Sequence, residues 1–247
     1  MSTSARRQTN ATNSTRRAAT RGRVFAGTME STTDRVAEAI TSGIRAGIFV
    51  PGQHLLEPDL TRRLGISRGS LREGLKHLAA AGIVTLNRFR GAYISTLDRK
   101  SVLDLLDTLE PLCRLAARLA ALNCGTAEAR QRIKDAAASI DAASRSHNRA
   151  RYLEARRCFY GAMVDIGGNR ELARTMPLAR TDLFRAQIEA IQNETQRQRH
   201  ASGYAEIAQA ILDQDPVAAE RSVRQHFSGT RRTMKELPEN AFPQRTG

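Results

Sequence analysis

Arg68, Arg72 and Lys76 recur at i, i+4 and i+8, so on a helix they make one stripe of positive charge. Such groups suit phosphate oxygens, and an arginine fork also matches the acceptor pair on a guanine edge. Taken alone, a stripe of this kind is commonly a solvated face. Its surroundings give it a sharper meaning. Leu71, Leu75 and Leu78 define a separate apolar face of the same helix, which Ser67 is placed to cap and Gly82 to end. Two β-prone runs follow, Ile83 to Leu86 and Ala92 to Ser95, joined by Asn87-Arg88-Phe89-Arg90-Gly91, a turn bearing two arginines. A cationic helix beside a cationic hairpin is the pattern of a winged helix-turn-helix. The helix would enter the major groove and the hairpin would reach the flanking backbone or minor groove.

The elements that must position this stripe lie just upstream. Thr33 to Gly47 carries Val36, Ala39, Ile40 and Ile44 at helical spacing, Pro51-Gly52 is a turn, and His54-Leu55 offers a third short strand. Glu57 to Leu64 predicts a short helix with Pro58 in its first turn, and Gly65 breaks it before the cationic helix. Short helix, glycine turn and long helix is the helix-turn-helix order. The run from Thr33 to Ser95, with its IxxGxxxPGxxL, LGISRxxLREGLxxLxxxGI and RGAYIS elements, resembles the DNA-binding domain of the GntR family of bacterial transcription regulators. The resemblance implies DNA contacts from Ser67, Arg68, Ser70, Arg72 and the wing residue Arg88. Two places depart from it. Pro58 stands where the family usually has an arginine, and Gly69 stands where a threonine often touches DNA. Those departures bear on the operator sequence, not on DNA binding.

Charge is distributed to match. The 247 residues carry a formal +14; residues 1–100 hold 17 Lys and Arg against 7 Asp and Glu, and the rest hold 22 against 18. The excess lies on the segment expected to meet a polyanion. The length suits two domains. No apolar run of about 18 residues and no signal-peptide core occurs, so no membrane partner is expected and a soluble, cytoplasmic protein is, associated with the nucleoid when DNA-bound. The first 28 residues hold six arginines and no acidic residue. That composition fits an organelle transit peptide or a disordered basic arm; the bacterial character of the neighbouring domain favours the arm. The expected domains are this arm (1–28), the winged helix (29–96), a helical domain (101–237) and a frayed tail (238–247). Cys113, Cys124 and Cys158 form no CxxC pair, as suits a reduced cytosol, and Cys113 and Cys158 are expected to be buried.

From Ser101 onward the pattern is helical throughout. Leu103, Leu106, Leu109, Leu112, Leu115 and Leu119 stripe a helix ending near Asn123-Cys124-Gly125. Thr126 caps another that reaches Arg145, and a third stops at Gly167-Gly168. Pro177, Ala201-Ser202-Gly203 and Asp215-Pro216 mark further boundaries, giving six or seven helices in an all-α bundle. The fold class is mainly α: a winged helix-turn-helix followed by a helical-bundle effector domain. The segments LLDTLEPLCRLAARLAA at 105–121, GGNRELA at 167–173 and AEIAQAILDQDPVAAERSVRQH at 205–226 resemble the FadR-like, or FCD, branch of the same family. That branch implies a homodimer whose bundle binds a small organic acid, often through a metal held by one Asp and three His.

Carried over residue by residue, the metal ligands are lost. Arg156 replaces the aspartate, Tyr160 and Tyr204 replace two histidines, and His226 alone remains. His54, His77, His147 and His200 are scattered and do not rebuild the set. One imidazole beside a guanidinium supplies neither the ligand count nor the charge for a divalent ion, so no metal or other cofactor is expected. Arg156 and Tyr160 are four residues apart and share a helical face, where a guanidinium fork and a phenol suit a carboxylate. The expected effector is therefore a carboxylate with an apolar body near Arg156, Tyr160, Tyr204 and His226. The competing reading pairs Arg156 with an internal carboxylate. No Gly-rich phosphate loop, GxSxG, HExxH or Cys–His pair points to an enzyme. An architectural nucleic-acid binder leaves the bundle without a purpose, and only 4% of residues are aromatic, too few for stacking on single strands. The expectation is a dimeric, ligand-responsive repressor of double-stranded operator DNA.

Overall fold

The computed structural model describes residues 31–146, 148–189 and 191–243. Ser31 opens α1 (Thr32–Arg45) with a capping box. Its hydroxyl accepts from the Asp34 amide, and the Asp34 carboxylate accepts from the Ser31 amide. Val36, Ile40 and Ile44 recur on the buried face. The chain passes through β1 (His54–Leu55) to α2 (Glu57–Leu64), with Pro58 in the first turn, where a missing amide costs nothing. Gly65 ends α2 at φ +63°, a left-handed conformation that suits a residue without Cβ. The turn delivers α3 (Arg68–Ala80), capped by Ser67, whose Oγ accepts from the Ser70 amide at 3.0 Å. Leu71, Leu75 and Leu78 are buried, which leaves Arg68, Arg72 and Lys76 exposed. Gly74 lies on the buried face, where a Cβ would come within 2.6 Å of Val36; glycine lets α1 and α3 close on each other.

The wing is the hairpin of β2 (Val84–Asn87) and β3 (Gly91–Ile94). β1 pairs with the other side of β3, giving an antiparallel sheet in the order β1-β3-β2 with His54 and Thr85 both opposite Tyr93. The bundle comprises α4 (Arg99–Asn123), α5 (Ala127–Arg145), α6 (Arg149–Gly167), α7 (Arg170–Thr175), α8 (Leu178–Glu189), α9 (Glu194–Leu212) and α10 (Pro216–Glu236). Asp98, Thr126, Asn148, Asn169, Asn193 and Asp215 each accept a first-turn amide, so most helix starts are written in cap chemistry. α4 packs on α6 and α10, and α9 packs on α5 and α10.

Four expectations are corrected here. The most buried face of α4 runs through Leu105, Leu106, Leu109, Cys113, Ala116 and Ala120, so Leu106 and Leu109 of the expected stripe are central while Leu112, Leu115 and Leu119 lie along its margin. Small side chains at the centre let α6 and α10 approach, while the marginal leucines fill the flanks. Ala201-Ser202-Gly203 is no boundary; it runs unbroken through α9. Cys158 is exposed, whereas Cys113 and Cys124 are buried. The tail is packed as far as Phe242, whose ring is buried with the Arg99 guanidinium 4.6 Å above it. The basic arm expected over residues 1–28 lies outside the described residues.

Candidate functional site

On the exposed face of α3, Arg68 has no acidic partner among the described residues. Arg72 Nε lies 3.3 Å from Glu57 Oε2, and Lys76 Nζ lies 2.8 Å from Glu73 Oε1. The cations are exposed, Glu73 is exposed and Glu57 half-buried, so each pair is worth about 0–1 kcal/mol and a phosphate can displace it. Arg72, Lys76 and Arg88 line one groove between α3 and the wing, over Leu75 and Leu86. Ser67 and Ser70 stand at the start of α3 with their hydroxyls 2.9 Å apart, and the Ser67 oxygen is committed to the cap. Phe89, which the sequence reading did not single out as a contact, projects from the wing tip with 91% exposure, 5.7 Å from the Arg88 guanidinium.

The second site is buried in the bundle. Arg156 on α6 is 1% exposed, and its Nε donates to Tyr204 Oη on α9 at 2.9 Å. Tyr204 Oη donates in turn to Tyr160 Oη at 3.4 Å, and the Tyr204 ring lies 4.5 Å from that of His226 on α10. The four residues expected around an effector are thus neighbours. Arg156 nevertheless has an internal carboxylate. Asp182 Oδ1 on α8 stands 3.9 Å from its Nη1, and Asp182 Oδ2 also meets Arg157 at 3.1 Å and Arg45 at 3.6 Å. Burial opposes the charge of Arg156, but the oxygens of Tyr204, Tyr160 and Asp182 outweigh it and hold its pKa above the ordinary value. Burial raises Tyr160 and Tyr152, so both phenols are neutral donors.

Beside this wall opens a cavity of about 310 Å³. Of the four expected residues His226 alone lines it; Arg185 on α8, Gln192, His200 on α9 and Thr230 on α10 were missed. Arg185 is 3% exposed and donates from Nη2 to Thr230 Oγ1 at 3.1 Å, with its guanidinium 5.0 Å from the Phe184 ring. No carboxylate lies within ion-pair distance among the described residues, and its Nε and Nη1 have no partner. His200 is not scattered: its ring centroid is 4.6 Å from that of His226. Its place one turn before Tyr204 was the available signal. Burial, followed by the Arg185 charge, pushes His226 down to about 3 and His200 well below its usual value, so both imidazoles are neutral. Tyr152 Oη lies 2.6 Å from His200 Nδ1; with the phenol donating, the ring proton sits on Nε2. The metal that the resemblance implies does not fit. Two imidazoles face two guanidiniums, and among the described residues no three His, Cys, Asp or Glu side chains are placed to hold an ion.

The two sites are joined through α1. Arg45 is held by Glu38 and Glu154, each at 2.9 Å, as well as by Asp182. The Gln187 carboxamide of α8 clamps the Leu97 backbone, accepting from its amide at 2.9 Å and donating to its carbonyl at 2.8 Å.

A winged helix with a basic recognition helix, locked to an all-α bundle that encloses a polar cavity, defines a DNA-binding regulator of transcription. Residues 32–94 match the model for bacterial regulatory proteins of the gntR family, and residues 102–229 match the FCD domain. The chain belongs to the GntR family and carries its FCD domain. The Glc operon transcriptional activator of Escherichia coli strain K12 is 27% identical over 225 residues, covering 82% of this chain and 88% of that protein. The regulator Mce2R of Mycobacterium tuberculosis is 36% identical over 83 residues, 33% of this chain and 35% of its own. Among solved structures, Escherichia coli McbR/YncC superposes with a TM-score of 0.74 at 16% identity, over 84% of this chain and 99% of that one. A GntR regulator from Rhodococcus sp. RHA1 reaches 0.67 at 20% identity, over the same shares. These two establish the fold. Among the described residues no helix is long and apolar enough to cross a membrane.

Proposed function

We propose that the protein is a cytoplasmic, homodimeric repressor that leaves a pseudo-palindromic operator when a small organic acid occupies its bundle. Ser67, Arg68, Ser70, Arg72 and Arg88 contact double-stranded DNA, α3 in the major groove and the wing beside it. Arg156, Tyr160, Tyr204 and His226 belong to the effector region. The observation that carries the reading is Asp182. It joins Arg156, buried behind the polar cavity beside Tyr204, to Arg45 on the winged helix. An acid that weakens operator binding must, by linkage, bind the DNA-free protein more tightly. The curated Escherichia coli relative is named an activator, so the sign is read directly. Footprinting on the DNA upstream of its own gene, with a promoter-fusion reporter, tests both parts. One short protected palindrome with lower reporter output supports the repressor; raised output makes it an activator, and continuous coverage makes it an architectural binder. Removing residues 1–28 should weaken binding to all sequences alike and flatten its salt dependence.

A further inference from the structure

We propose that Arg185, with Gln192 and His200, forms a metal-free cradle for the carboxylate of a small, hydrophilic acid, and that Arg156 is the wall behind it. The inference rests on the effector reading above and changes both its anchor and its ligand class.

Unsatisfied donors converge on this cavity. Arg185 Nε and Nη1, Gln192 Nε2 and His200 Nε2 are buried without a hydrogen-bond partner, and all three residues line the same space. An unmade bond on a buried donor costs about 1–3 kcal/mol, more on a charge, so several around one cavity call for an acceptor-rich occupant. The two arginines differ in kind. Arg156, although its Nη1 also lacks a hydrogen bond, has Tyr204 and the Asp182 carboxylate, whereas Arg185 has one threonine hydroxyl, a ring and no carboxylate. Arg199, also in the lining, is matched by Glu236 at 3.4 Å. One deeply buried guanidinium is therefore left uncompensated, which a monovalent carboxylate neutralises and a phosphate, nearer −2, overshoots. The remaining lining is Ser202, Glu206, Gln225, His226, Thr230, Arg232 and Thr233 with glycines; the formal charges of Glu206 and Arg232 cancel, and neither an aliphatic side chain nor a benzene ring belongs to it. The apolar body expected from the sequence has nothing to rest against here; hydroxyl groups do.

The 247-residue chain is titrated with L-lactate, L-malate, D-gluconate, benzoate, hexanoate and inorganic phosphate, with and without EDTA, while thermal melting is followed. At least one hydroxy acid should raise the Tm saturably, and Arg185→Gln should weaken that binding at least tenfold, with Arg185→Lys in between. Without ligand, Arg185→Gln should melt no lower than the unaltered protein, because it removes an unpaired buried charge. A response confined to benzoate, hexanoate or phosphate overturns the ligand class, and a response abolished by EDTA overturns the metal-free cradle. Undiminished hydroxy-acid binding by Arg185→Gln, or ligand-free unfolding of that variant, overturns the anchor and leaves the effector reading standing. No response to any acid by the unaltered protein overturns the effector reading and the cradle together. Operator binding by the same samples reports the DNA reading separately.

Discussion

Charge converges on Asp182 more than on any other described side chain. Three guanidiniums, of Arg45, Arg156 and Arg157, lie within 4 Å of a carboxylate only 4% exposed. Arg45 also has Glu38 and Glu154, and Arg157 is partly exposed to solvent, but Arg156 has neither. Asp182→Asn should therefore cost on the order of 3–5 kcal/mol, the usual penalty for stripping the partner from a buried cation, and a urea melt would show it. A cost under about 1 kcal/mol would mean that the phenols alone hold Arg156. His226 carries the second residue-scale prediction. Its folded pKa of about 3 lies below the ordinary 6.5 because burial, then Arg185, disfavours the cation. A depressed folded value means that the unfolded chain binds the extra proton, so this stability is complete above about 6.5 and drains away as pH falls towards 3. Ligand-free protein should lose on the order of a few kcal/mol across that window from this group alone. His226→Asn should flatten the slope; an unchanged slope would assign the acid lability elsewhere.

Helix contacts decide which side chains reach the cavity. Gly203 lies on α9 where a Cβ would fall 2.3 Å from His226 Nδ1 on α10. Gly203→Ala should push that ring aside and abolish the Tm response to hydroxy acids, while operator binding persists; a retained response would show that α9 and α10 give way. On α3, Arg72→Ala should cost about 1–3 kcal/mol in operator affinity if the guanidinium reads a base, measured by fluorescence anisotropy. Unchanged affinity for both Arg68→Ala and Arg72→Ala would remove the recognition role. Legibility follows the same division. Caps such as Ser67, Thr126 and Asp215, breakers such as Gly65, and the leucines of α3 act within a turn or two, so the sequence displays them. The cavity depends on α6, α8, α9 and α10 meeting. α8 is buried from Thr181 to Ala186 without an amphipathic period, so Arg185 had no polar face to advertise it. Asp182, three residues earlier, was hidden for the same reason. That Tyr160, Tyr204 and His226 are neighbours was legible only through the family pattern, which supplies the long-range pairing that periodicity cannot.

At the scale of the whole molecule, an acid in the proposed cradle would act on the DNA-binding domain through α1. Arg45 is the one α1 side chain that meets Asp182 through an ion pair, and its charged form is stabilised against burial by Glu38, Asp182 and Glu154 together. An anion on Arg185 lowers the repulsion that Arg156 now feels from it. By the proposal, that would shift how strongly Arg156 competes with Arg45 for Asp182 and so bias the angle of α1, against which α3 packs through Gly74 and Val36. Arg45→Met keeps the apolar stem and removes the charge. The variant should bind hydroxy acids as before in thermal melts, yet its operator affinity with and without the acid should converge, reducing the coupling from the 5–150-fold typical of regulators to about 1–2-fold. The measurement is anisotropy of labelled operator at saturating and zero acid. If the coupling survives Arg45→Met intact, the signal crosses through the Gln187–Leu97 clamp or a contact between protomers of the proposed dimer instead, and the ion pairs at Asp182 serve stability alone.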